Sequence, residues 1–303
     1  MNNIPQEQNT ERQLQRLGAQ RQLYATAKSL LGWQVILGGP VPVVLAFLGL
    51  RFSQITPYAA LWGILVVLGD VLWLHPWQKR LRTQAARIQE LFDCDVLELP
   101  WDELKAGKRP EPELVKEQSE KYSSWAAAMP PLLDWYAPQV GTLPIHVARL
   151  ACQRSNCWWD AKQRRRYAEV VIAGVLTVFL IVLFLAMSQG FTIETFVLKV
   201  VAPLSPVLLL GVRQFVEQME AASRLDSLRE YSESIWNEAL NRKPEPTMTK
   251  KARGLQSEIF ENRKRSPLVF DGLFKLMRSD FEAQMHHGVA EYVAEAKQKL
   301  GLL

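Results

Sequence analysis

The chain has 303 residues, 48% hydrophobic and 22% charged, with a mean hydropathy of -0.07, values that on average describe a soluble protein. So much apolar residue excludes a disordered chain, and three cysteines, an odd number, exclude a disulfide-built secreted domain. The average hides a division: residues 29–77 and 170–212 hold four charges in all, Arg51, Asp70, Glu194 and Lys199, while the rest of the chain carries the other 63.

Residues 1–28 are polar and Gln-rich, and the apolar run behind them is too long for the core of a cleavable signal peptide, so none is expected. Residues 29–50, 52–69 and 170–193 are free of charge, and 195–212 carry only Lys199. Each run can cross a hydrocarbon core of about 30 Å, which needs about 20 helical residues. The connectors at 51–56 and 188–194 are short, so the four runs pair as two hairpins, 29–77 and 170–212. The predicted fold is all-α, a polytopic membrane protein with a short segment at 1–28 and helical regions at 78–169 and 213–303. Those three regions contain 4, 15 and 15 of the 36 Lys and Arg residues, which places them, and both termini, in the cytoplasm.

Beyond the second run an amphipathic helix extends from residue 78 to a break at Leu99 and Pro100. A second helix is expected over 111–129, ended by Pro130 and Pro131. A third starts near Ile145 and enters the third run directly, and the fourth run continues as helix to Leu240. A linker at 242–249 precedes helices at 250–264 and 267–300, the last opened by Pro267 with Ser266 as its cap.

Asp70 and Lys199 are charges inside apolar runs, where an ionised carboxylate costs several kcal/mol unless paired, hydrated or protonated. Asp70 reads as a pore or gating carboxylate, or as the interfacial end of a shorter span; Lys199 could pair with it or snorkel to the interface. Pro40 and Pro42 in the first run, with Pro203 and Pro206 in the fourth, free carbonyls that lipid cannot satisfy. Such kinks are expected to face other helices or a wet path. Arg149, Arg154, Trp158 and Trp159, beside Lys162 and Arg164, combine guanidinium groups with aromatic faces able to neutralise phosphate and stack a base. The alternative is an interfacial tryptophan belt with flanking positive charge. His146, Cys94, Cys152 and Cys157 match no zinc spacing, and no phosphate loop, HExxH or GxSxG motif occurs. Neither enzyme activity, a cofactor, a metal nor a DNA or RNA partner is expected.

The segments LFDCDVLELPW, DWYAP, ARLACQRSNCWWDAKQRRRY, ENRKRSPLVFDGLF and RSDFEAQMHHGVAEYVAEA, with the four-run layout, resemble the SMODS-associated four-transmembrane effector family over most of the chain. The resemblance implies a pore-forming or membrane-disrupting effector of bacterial anti-phage defence. A cGAS-like nucleotidyltransferase would make a cyclic oligonucleotide on infection, and the effector would assemble as a homo-oligomer or open in the inner membrane and permeabilise that bilayer, stopping the infected cell. The family carries no catalytic residues over. A constitutive channel or small transporter, and a membrane-anchored scaffold for a protein partner, are the alternatives the residues leave open.

Overall fold

The computed structural model describes residues 1–124, 132–188, 190–241 and 244–302, and no strand occurs among them. Helix α1 (Ile4–Glu7) is short and stapled down. The Asn2 amide donates to the carbonyls of Val140 and Leu143 at 2.7 and 2.8 Å, and Gln8 exchanges two hydrogen bonds with the backbone of Tyr136. The polar N-terminal segment is thus built into the core, with Ile4 fully buried.

Helix α2 (Glu11–Gly38) ends at Gly39, and Pro40, which lacks an amide donor, opens α3 (Pro40–Arg51). The carbonyl of Leu37, left over at the end of α2, accepts the indole N–H of Trp62 at 3.1 Å from α4 (Thr56–Gly69). The neighbouring helix therefore satisfies one carbonyl that the break exposes. Helix α4 passes through one turn of π-helix, Asp70–Leu74, into α5 (His75–Val96). After α6 (Glu103–Ala106) comes α7 (Pro112–Ser123); the rest of the expected 111–129 helix, with Pro130 and Pro131, lies outside the described residues.

Helix α8 (Ile145–Ser188) runs without interruption from the charged region into the third apolar run, as predicted. It is followed by α9 (Ile193–Phe196), a second π-helical turn at Val197–Val201, and α10 (Ala202–Leu240). Lys199 stands in that second π-helical turn as Asp70 stands in the first. The side chains of Lys199, Pro203 and Pro206 lie outside the described residues.

Two boundaries differ from expectation. Helix α11 (Glu245–Arg265) begins inside the expected linker, its first turn supplied by Glu245 and Pro246, residues suited to a helix start. Helix α12 (Asp271–Leu300) begins at Asp271 and not at Pro267. Residues 266–270 are non-helical, and side chains of other helices take the carbonyls of Ser266, Pro267 and Leu268.

Two of the described helical stretches are long and apolar enough to cross a membrane, Pro57–Val96 and Ile145–Ser188. Their apolar windows are 0% and 6% buried, the opposite of a soluble core helix. The first apolar run is divided by the break at Gly39, so neither α2 nor α3 presents it whole. The most extensive helix pairing is α8 against α10, and a side chain added at Gly211 would run into Val175 across it. The polar body is closed by one large core in which Leu17, Phe92, Tyr136, Leu150, Leu225 and Met248 meet.

Candidate functional site

Where the charged body meets the apolar runs, a neck, the helices leave a cavity of about 260 Å³. Its wall carries Arg21 and Lys28 from α2, Arg82 from α5, Arg164 from α8 and Arg263 from α11. Among the described residues, these five cations share the wall with one carboxylate, Asp160, whose Oδ1 lies 3.0 Å from Arg164 Nε. Tyr24, Trp135 and Trp159 add aromatic surface to the same wall, and residues 266–269 close it. Such a wall suits a ligand that pairs phosphate with flat bases.

One of these cations, Arg263, is held in place by a buried network behind the cavity wall. Arg263 pairs with Asp93 at 2.5 Å; Asp93 also accepts from the Tyr136 hydroxyl at 2.6 Å and from Gln256 at 2.9 Å. Gln256 bonds Glu90, which pairs with Arg253 at 2.5 Å. Burial opposes the charge on Arg263, but Asp93, together with Tyr136 and Glu90, holds it above its ordinary pKa. Among the described residues no carboxylate forms an ion pair with Arg82, and Glu217 acts on it only from a distance. Burial pulls its pKa down, and neighbouring Arg164 adds to this against the opposing pull of Tyr24. An entering anion would relieve that repulsion. Gln20 Oε1, Arg82 Nε and Ser266 Oγ, all buried atoms of residues in this wall, have no hydrogen-bond partner among the described residues.

Of the four residues read as ligand-binding, Trp159 alone lies in this wall. Its ring meets Phe281 edge-on at 6.0 Å. Arg149 is 2% exposed and donates to Ile145 O and Thr249 Oγ1. Arg154 pairs with Glu233 at 2.9 Å and lies over Tyr292. Trp158 faces a separate open groove with Lys162, Arg165 and Arg229. One helix face therefore does not carry all four. The residues that sequence reading missed, Arg82, Arg263, Lys28 and Trp135, come from distant parts of the chain. Three of the motifs that carried the family resemblance nevertheless converge here: Trp135 from DWYAP, Trp159 and Arg164 from WWDAKQRRRY, Arg263 and residues 266–269 from ENRKRSPLVF.

Asp70 lies at the same neck. Its carboxylate accepts from Gln34 of α2, which is 9% exposed and accepts in turn from Gln78 at 2.6 Å. Asp70 also contributes to raising the Arg213 pKa, behind the ion pair of Arg213 with Glu217. Of the helix breakers in the first run, Pro40 is exposed and Pro42 buried. The three thiols are free and buried, and Cys94 accepts from Arg253 at 3.1 Å.

The model of the SMODS-associating 4TM effector domain matches residues 2–292. The chain belongs to this family. A relative in Bacillus cereus (strain VD146), described as a "Probable CBASS effector molecule", is 24% identical over 292 residues, covering 92% of this chain and 95% of that protein. No solved structure matches the chain.

Proposed function

We propose that this effector sits in the bacterial inner membrane with four spans, two in each of the hairpins 29–77 and 170–212. Its termini and the regions 1–28, 78–169 and 213–303 are cytoplasmic, as the distribution of 34 of 36 basic residues favours. A cyclic oligonucleotide made by a cGAS-like nucleotidyltransferase on phage infection binds the neck cavity, and the protein, as a homo-oligomer, permeabilises the membrane and ends the infected cell. The observation that carries this reading is the concentration of five cations and three aromatic rings in one cavity at the level where the apolar runs begin.

The layout of the helices supports a route from ligand to bilayer. Helices α2 and α8 each contribute cavity residues and continue into apolar runs, so a displacement of Lys28 or Arg164 is a displacement of the span. At about 260 Å³ the cavity is smaller than the roughly 300–1,000 Å³ of ordinary ligand sites, so a cyclic oligonucleotide must widen it. A ligand that binds only the widened state shifts the equilibrium toward it. Asp70 and Lys199, each in a π-helical turn of a run, are the proposed gating charges, and Pro40, Pro42, Pro203 and Pro206 the proposed hinges.

Calorimetry of the full chain in detergent against a panel of cyclic di- and trinucleotides tests the site. A member of the panel is expected to bind, with Arg82→Ala combined with Trp159→Ala weakening it by about a hundredfold, or about 2.7 kcal/mol. Unchanged affinity in that double variant would refute the cavity as the site. Arg154→Ala, with its side chain on Glu233 and Tyr292, is expected to bind as wild type does.

A further inference from the structure

Residues 266–269 form an extended strap between α11 and α12. Its carbonyls point to three different helices. Arg82 of α5 donates to Ser266 O at 2.9 Å, Arg164 of α8 donates to Pro267 O at 2.9 Å, and Gln218 of α10 donates to Leu268 O at 2.8 Å. The Leu268 side chain packs with Ala27 and Leu31 of α2, and is 6% exposed. One short segment thereby touches the neck end of all four helices that lead to the apolar runs. It does so by hydrogen bonds to two cavity cations whose fork-shaped guanidinium groups are the natural partners of phosphate oxygens.

We propose that the strap is an internal stand-in for the ligand, its carbonyls occupying Arg82 and Arg164 in the closed state, and that a phosphate-bearing ligand opens the protein by displacing it. This rests on the reading of the neck cavity as the ligand site. A neutral carbonyl is a weaker acceptor than a phosphate oxygen, so the exchange favours the anion. Displacement removes the shared tie among the four helices and enlarges the cavity at once, because residues 266–269 are part of its wall. The ligand's affinity is then set by the difference between holding the strap and holding phosphate. A mutation that loosens the strap without touching the cavity wall makes the protein easier to open.

The strap can be followed by a thiol at its end. Val269 is 8% exposed, so Val269→Cys in the full chain should react slowly with a maleimide while the strap is seated. The protein is reconstituted in phosphatidylcholine vesicles and given inorganic tripolyphosphate, with chloride of equal ionic strength as control; labelling at position 269 is read by mass spectrometry and tripolyphosphate binding by calorimetry. Expected are binding and a labelling rate at least about tenfold above control. A second variant, Gln218→Glu, keeps an acceptor for Arg164 but loses the donor to Leu268 O, and is expected to label fast without any anion. Binding without faster labelling overturns the strap and leaves the cavity reading standing. Faster labelling on adding phosphatidylglycerol to the vesicles, with no response to tripolyphosphate, upholds the strap and assigns the cavity to a lipid headgroup, against the soluble ligand. Slow labelling of Gln218→Glu overturns the strap as the tie.

Discussion

Arg263 joins the cavity to the core, since its guanidinium lines the one and pairs with Asp93 in the other. Asp93 is fully buried, so Asp93→Asn leaves a buried cation without its carboxylate and should cost about 3–5 kcal/mol of stability. The apolar pair Asp93→Leu with Arg263→Met is expected to recover much of that cost, as read by chemical denaturation, while losing ligand binding with the Arg263 guanidinium. Burial also pushes the Cys157 thiol up from 9.0 to about 12, and holds Tyr136 above its ordinary value together with nearby Asp93. Stability from keeping Cys157 neutral is complete below pH 9.0 and lost as pH rises through about 12, because the unfolded chain ionises first. The thermal midpoint should therefore fall from pH 9 upward, and Cys157→Ala should make the fall shallower.

At the scale of elements, the long helices were readable where periodicity is strong and the charged-to-apolar transition is abrupt. Helix α8 starts at Ile145 and α10 ends at Leu240 as the sequence predicts. The start of the last helix was not readable: Ser-Pro at 266 and 267 is a good helix opening locally, yet Arg82, Arg164 and Gln218 claim the carbonyls of the next turn. Those partners are 50 or more positions away in sequence, beyond any local signal. The cavity was legible in part for the same reason. Trp159 sits beside a basic run and announces itself, whereas Arg82 and Arg263 become neighbours only through packing. The close approach at Gly211 is likewise a property of the α8 and α10 pair. Gly211→Leu is expected to force these helices apart against Val175 and to lower the thermal midpoint. Gly174→Leu, with open space around its position, should be far milder.

For the whole molecule, the two nearly uncharged parts of the sequence and the charged remainder form one object whose cavity lies between them. Four apolar runs emerge from a helical body, and one strap is tied to the foot of each. In the proposed mechanism, such an arrangement would convert occupancy of a single basic cavity into a change at every run. The most direct measurement is dye release from vesicles bearing the full chain, on addition of the reaction products of a cGAS-like nucleotidyltransferase. Rapid release that requires those products, and that falls at least about tenfold in Arg82→Ala with Trp159→Ala, is the result predicted. Vesicles that stay sealed when the cavity is shown to be occupied, or that leak equally without the nucleotide, would contradict it.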